Sequence, residues 1–217
     1  MMKRMMEILV IVAMGLSASA AEPAAPSAKT GMAAERAVSG EVATLLSSGR
    51  ECLLSGKWTE AVALFEKARS LDSGNQEAAF GLSAAFIELK RYSDALPLLE
   101  KLAKDLPEHP MVKNNLAWVL LQDKDKTKGS GNAPRAIKLA RSAMLDVPSD
   151  YSIWNTLGEA YYVSGQFDKA LRAAECGLRL SVLAGLTNSP CKDLVVRCRK
   201  AAAAASLDKS DGPDETR

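Results

Sequence analysis

The sequence predicts an all-α protein, and three observations support this fold class. Apolar residues make up 47% of the 217 residues and charged residues 25%, the composition of a globular protein with enough apolar material for a core. Only 5% of the residues are aromatic, whereas Ala and Leu are abundant, and runs of Val, Ile and Thr that alternate with polar residues do not occur. A pattern of helix, turn and helix instead recurs along the chain.

The first twenty residues have the layout of a secretory signal peptide. Lys3 and Arg4 give it a positive start, an apolar stretch covers Ile8–Leu16, and small residues end it at Ala20. The apolar stretch is short for a membrane span, which needs about 20 residues. We therefore predict that residues 1–20 are cleaved and that the protein is exported. The alternative is an uncleaved segment that anchors the N-terminus in the membrane.

Net charge gives no reason to expect nucleic acid or an anionic membrane surface as a partner. The whole chain has 28 basic and 26 acidic residues. Cleavage of the signal peptide removes Lys3, Arg4 and Glu7, which leaves 26 basic against 25 acidic residues and a net charge of about +1. A surface that binds nucleic acid needs a clear excess of Lys and Arg.

The sequence divides the mature chain into three parts. Residues 21–38 begin with a stretch rich in Pro, Ala and Ser and are predicted to be a linker. A candidate helix over Ala33–Leu46 would extend the folded region towards the N-terminus, although Gly40 disfavours this helix. Residues 39–205 are predicted to form the folded domain. The polar residues 206–217 are predicted to be a disordered tail.

One stretch of the folded domain carries a specific motif of large and small residues. The sequence WNTLGEAYYVSGQFDKA resembles the tetratricopeptide repeat (TPR), whose pattern is W-x2-L-G-x2-Y, then a small residue in the second helix and a Pro that closes the unit. Small residues stand where bulk would hold two crossed helices apart, and large ones fill the space between them. The matching positions are Trp154, Leu157, Gly158, Tyr161, Gly165, Phe167 and Ala170.

Three weaker copies of this unit precede it. The predicted repeats cover residues 42–75, 76–109, 110–150 and 151–184, and the 34-residue spacing from Ala61 to Ala95 is the TPR period. The third unit is seven residues longer than that period, and its extra residues fall in the sequence LLQDKDKTKGSGNAPRA, between two predicted helices. We interpret this stretch as a lengthened, solvated turn. Insertions in repeat proteins often lie on a binding face, which is the alternative for this turn.

The resemblance to the TPR family implies a right-handed α-solenoid of antiparallel helix pairs, with about four TPR units. A capping helix is predicted over residues 189–205, because an amphipathic helix can cover the apolar face that a repeat stack leaves at its end. Ser189 and Pro190 suit the start of this helix. Its apolar stripe consists of Cys191, Leu194, Val195, Cys198 and Ala202.

In TPR proteins the first helices of successive repeats line a concave groove that receives a peptide or a helix of a partner. Amide side chains can bond to the backbone of such a ligand, and large rings anchor it. The alternative is that these side chains stabilise the stack. The groove positions that the resemblance implies are Arg50, Phe80, Asn114, Trp118, Asn155, Glu159 and Tyr162.

The four cysteines lie in a protein that is predicted to enter an oxidising compartment. No pair has the CxxC spacing of redox or zinc sites. Cys191 and Cys198 are separated by about 10.5 Å of helix rise, which is too far for a bond between them. The candidate disulfide joins Cys176 to Cys191 or Cys198. The alternative is that these residues are small apolar side chains on packed helix faces.

Sequence motifs for catalysis do not occur in this chain. His109 is its only histidine and falls in a turn, and neither G-x-S-x-G, a phosphate loop nor HExxH occurs. We therefore predict that the protein is not an enzyme, needs no cofactor and binds no metal.

The function predicted from the sequence is an exported TPR interaction module or assembly scaffold. Its expected partner is a peptide or helical segment of another exported or envelope protein, and its expected compartment, by resemblance to exported bacterial TPR proteins, is the periplasm. One alternative is a structural protein that self-associates through its convex face or the ends of the stack. Another is a thiol-dependent redox protein that uses Cys52 or Cys176.

Overall fold

The computed structural model describes residues 29–122 and 132–210, and within these ranges the chain consists of α-helices joined by turns, without a β-strand. The predicted all-α repeat fold is confirmed. The predicted signal peptide, most of the predicted lengthened turn and the end of the predicted tail lie outside the described residues. The helices are α1 (Lys29–Leu54), α2 (Trp58–Leu71), α3 (Gln76–Glu88), α4 (Tyr92–Asp105), α5 (Pro110–Gln122), α6 (Asn132–Asp146), α7 (Tyr151–Val163), α8 (Phe167–Leu183) and α9 (Pro190–Ser210).

The first of two compact units contains helices α1 to α4. Each of these helices packs on the next, and α1 also contacts α3. Phe65 of α2 is fully buried at the centre, and its ring lies against Gly49 and Gly81. A Cβ atom at Gly81 would come within 2.4 Å of the ring, so any larger residue there would force the ring to move. The small residues therefore decide how closely α2 can approach α1 and α3.

The second unit contains helices α5 to α9. Consecutive helices again pack on each other, α5 also contacts α7, and α7 also contacts α9. The Leu194 side chain of α9 packs against Gly158 of α7, where a Cβ atom would come within 2.7 Å of it. The Cys191 thiol packs in the same way against Gly177 of α8. A glycine at each contact thus brings α9 close to the preceding helix pair.

The three described turns inside helix pairs share one backbone feature. The residue two positions before the second helix has a left-handed conformation, with φ of 72° at Gly56, 59° at Lys90 and 71° at Gly165. Glycine adopts this conformation at no steric cost, whereas a side chain such as that of Lys90 strains it. The 34-residue interval between Gly56 and Lys90 repeats the spacing seen in the sequence.

The two terminal helices are longer than the sequence pattern indicates. Helix α1 begins at Lys29 and continues through Gly40, and α9 continues to Ser210, so residues 206–210 of the predicted tail are helical. The apolar stripe of α9 is buried: Cys191, Leu194 and Cys198 have no exposed surface. In the described part of the chain no helix is long and apolar enough to cross a membrane.

Candidate protein-binding site

The two asparagines that the sequence places in the groove lie on neighbouring helices of the second unit. Asn114 is on α5 and Asn155 is on α7, and each is only 2% exposed. The Oδ1 atoms of both are buried without a hydrogen-bond partner among the described residues. An unsatisfied buried acceptor costs roughly 1–3 kcal/mol, so a donor that reached either oxygen would recover part of that free energy.

Two aromatic rings on the same helices are more accessible than these amides. Trp118 of α5 and Tyr162 of α7 are both half-buried. The Tyr162 and Phe167 rings pack edge to face, with 5.5 Å between ring centroids and an interplanar angle of 60°. We call Asn114, Trp118, Asn155, Glu159 and Tyr162 the second-unit face.

Helix α9 contacts the second-unit face through a residue that is not among the predicted groove residues. Arg197 of α9 forms an ion pair with Glu159. Its guanidinium carbon also lies 4.9 Å from the centroid of the Tyr162 ring, a cation–π contact. Glu159 and Tyr162 are therefore already engaged inside the protein. The only local signal for Arg197 was its place on the polar side of α9.

The two groove residues of the first unit have different environments. Arg50 of α1 forms an ion pair with Glu77 of α3, and its side chain remains 38% exposed. Phe80 of α3 is only 3% exposed, so its ring belongs to the core of this unit. The Glu77 carboxylate therefore neutralises the charge of Arg50 within the protein, and this charge is not free to bind a ligand.

One buried cation of the second unit was not singled out in the sequence. The Lys113 side chain is 8% exposed, and its ammonium donates hydrogen bonds to Ser142 (3.0 Å), Asp146 (3.0 Å) and Glu108 (3.2 Å). Burial lowers the pKa of Lys113, but the bonds to Asp146 and Glu108 outweigh it and the net pKa is raised. These bonds tie the start of α5 to the end of α6, which is a structural role.

An open cleft of about 410 Å³ lies between α6, α7 and α8 in the second unit. Its apolar lining includes Trp154 and Tyr161, and its basic lining consists of Arg141, Lys169 and Arg172. The Trp154 indole N–H donates to the carbonyl oxygen of Pro148 at 2.7 Å, which fixes the orientation of the ring. The remaining lining residues are Met144, Leu157, Ala173 and Cys176.

All four cysteines carry free thiols, so the disulfide predicted between Cys176 and Cys191 or Cys198 is not formed in this structure. The Cys191 thiol is buried 3.8 Å from the Tyr151 carbonyl oxygen, and burial raises its pKa to about 11. Burial also raises the pKa of Cys198. Cys176 is half-buried and its sulfur lies 3.0 Å from the Arg179 guanidinium.

The described residues contain no group of three or more His, Cys, Asp or Glu side chains that could hold a metal ion. The single histidine has a local structural contact: its Nδ1 accepts the backbone N–H of Val112 at 3.3 Å, at the start of α5. Burial lowers the pKa of His109.

Comparison with known proteins identifies the family. Tetratricopeptide repeat models match residues 53–125 and 128–175, which together are more than half of the chain. The chain therefore belongs to the tetratricopeptide repeat family, as the sequence motif predicted. Proteins of this family act through protein–protein contacts. A comparison with curated proteins gives no match.

Solved structures of similar fold are other TPR proteins. A thermophilic TPR protein of Thermus thermophilus has a TM-score of 0.60 and 19% identity, over 80% of this chain and 93% of that one. MamA from Desulfovibrio magneticus RS-1 has a TM-score of 0.53 and 19% identity, over 80% of this chain and 98% of that one. A point mutant of MamA has a TM-score of 0.59 and 18% identity, over 78% and 90% of the two chains.

Proposed function

We propose that this chain is an exported TPR scaffold that binds a peptide or helical segment of another exported or envelope protein on its second-unit face. One observation carries the proposal: α5 and α7, which contact each other, present two half-buried rings beside two buried amide oxygens without partners among the described residues. A ligand with exposed backbone N–H groups would supply the missing donors once the two amide side chains turn towards it. The rings of Trp118 and Tyr162 would supply apolar contact area, and rings of this kind are frequent anchors in interfaces.

A double variant, Trp118→Ala with Asn155→Ala, tests this proposal in a pull-down from the cell envelope of the source organism. The proposal predicts that partners held by the wild type are lost while helical circular dichroism is unchanged. Leu183→Ala is the matched control, because that side chain is 84% exposed at the end of α8 and outside the second-unit face. Equal capture by the wild type and the double variant would refute binding on this face.

Export is part of the proposal and rests on the signal-peptide layout of residues 1–20. The periplasm, as the proposed compartment, rests on the resemblance to exported bacterial TPR proteins. Mass spectrometry of the protein recovered from cells tests it. A mature N-terminus at Ala21 in the soluble periplasmic fraction supports cleavage and export. A full-length chain that stays with the membranes supports the anchored alternative.

Self-association is a second candidate function, because several large apolar side chains of the second unit face solvent. Val182 and Leu183 at the end of α8 are 62% and 84% exposed, Val163 at the end of α7 is 52% exposed, and Val196 of α9 is 63% exposed. Light scattering over a range of protein concentrations tests this candidate. A mass that stays at the monomer value at all concentrations would exclude it.

A further inference from the structure

The cations around the α6–α8 cleft differ from four other arginines of the chain. Arg50, Arg91, Arg197 and Arg199 each form an ion pair with a carboxylate. Within residues 29–122 and 132–210 no carboxylate pairs with Arg141 or Arg172, and the Lys169 ammonium reaches the Gln166 side chain (2.8 Å). The cleft therefore keeps an uncompensated positive charge beside an apolar floor.

The positive charge also extends beyond the cleft along α8. Arg179 follows Arg172 by two turns, and its guanidinium touches the sulfur of Cys176, which lines the cleft. At 1.5 Å of rise per residue, Lys169 and Arg179 are separated by about 15 Å along the helix axis. An extended peptide covers that length with about four to five residues. A single carboxylate or phosphate group could contact only part of this row.

We propose that the α6–α8 cleft binds an extended, acidic peptide segment of a partner protein, with one aromatic or large aliphatic side chain of that segment inserted into the cleft. Acidic side chains on both sides of the inserted residue would face the row formed by Lys169, Arg172 and Arg179, with Arg141 on the opposite wall. The apolar floor of Trp154, Leu157 and Met144 would contact the inserted side chain. This site goes beyond the proposed function, because it shares no residue with the second-unit face.

The test uses the full mature chain and a fluorescent peptide of Asp and Glu residues with one central Phe. Anisotropy should show saturable binding that weakens as salt is added, because exposed charge pairs are screened. Two further probes test what the cleft recognises. The same peptide with Asn and Gln in place of the acids tests whether binding needs the negative charges, and vesicles with or without phosphatidylglycerol test whether an anionic membrane surface binds instead. Binding of the acidic peptide alone is the expected result. Binding of the anionic vesicles but not of the peptide would overturn the proposal.

Charge reversals locate the site. Arg141→Glu with Arg172→Glu should weaken peptide binding by about tenfold or more, because each change replaces attraction with repulsion. Lys138→Glu with Lys192→Glu is the matched control, since both side chains are exposed and outside the cleft and the net charge changes equally. The proposal fails if the first variant binds like the wild type, or if both variants lose affinity equally.

A second readout reports occupancy of the cleft directly. Cys176 lines the cleft and is half-buried, so its alkylation by a maleimide should slow when peptide is bound. Cys52→Ser removes the other half-buried thiol, and the two remaining cysteines are fully buried. Unchanged alkylation at saturating peptide would show that the peptide binds elsewhere and would overturn the assignment.

Discussion

Replacement of Glu88 by glutamine should stabilise the protein at neutral and alkaline pH but not in acid. Glu88, near the end of α3, is 8% exposed, and its Oε2 atom is buried without a hydrogen-bond partner in the described part of the chain. Burial raises the pKa of its carboxyl from 4.5 to about 7, because the charged form loses its hydration. The folded state therefore holds this proton more tightly than the unfolded state.

The sign and size of the effect follow from this raised pKa. Below pH 4.5 the carboxyl is protonated in both states and costs nothing. As the pH rises from about 4.5 to about 7, the unfolded state loses the proton first and stability falls; above pH 7 the loss levels off. At 1.36 kcal/mol per pKa unit the total loss is up to about 3 kcal/mol. Glu88→Gln removes the charge, so it should recover this free energy at pH 8 and almost none at pH 4.5.

Urea denaturation followed by circular dichroism at pH 4.5, 6 and 8 measures the effect. The expected result is a difference between variant and wild type that grows with pH. Glu51→Gln is the control, because Glu51 is an exposed carboxylate of α1 and its replacement removes no buried charge. A Glu88→Gln variant whose stability difference is the same at all three pH values would refute the reasoning that burial raises this pKa.

Three further predictions concern packing, backbone strain and the thiols. Gly81→Ala should lower the free energy of unfolding by about 1–3 kcal/mol, because its methyl group would come within 2.4 Å of the Phe65 ring. Part of that loss should disappear in a Phe65→Leu background, and urea denaturation measures both effects. Lys90→Gly should raise stability by up to about 1 kcal/mol because it relieves a positive φ of 59°, and an unchanged or lower melting temperature would contradict this. Thiol titration should count two rapidly reacting thiols in the native protein and all four after denaturation, whereas an oxidised preparation with only two thiols in total would indicate a disulfide. The half-buried cysteines are Cys52 and Cys176, and the buried ones are Cys191 and Cys198.

The fold could be predicted from the sequence because a TPR unit encodes its packing in residue size. Gly158 and Trp154 fall where the family pattern requires a small and a large residue, and the structure packs Leu194 of α9 against that glycine. The 34-residue spacing then places the strained turn at Lys90, one period after the turn at Gly56. The pattern of residue sizes is local, so one repeat is enough to recognise it, whereas the spacing requires two.

The ion pairs and the burial of the predicted groove residues could not be predicted from the sequence in the same way. Arg50 and Glu77 are 27 residues apart, and Arg197 and Glu159 are 38 apart, so no local pattern indicates that these pairs form. The burial of Asn114 and Asn155 likewise depends on which neighbouring helices cover them. The α6–α8 cleft gathers residues of three helices, and the sequence offered only the spacing of Lys169, Arg172 and Cys176 on one face of α8.

Site-specific photo-crosslinking in cells tests most directly that the chain binds a segment of another protein on its second-unit face. A benzoylphenylalanine in place of Trp118 would lie on that face, and one in place of Leu183 would lie on exposed surface outside it. The account predicts that position 118 crosslinks to one defined segment of another exported protein, that position 183 does not, and that Asn155→Ala weakens the crosslink. Equal crosslinking at both positions, or crosslinks at position 118 only to further copies of this chain, would contradict it.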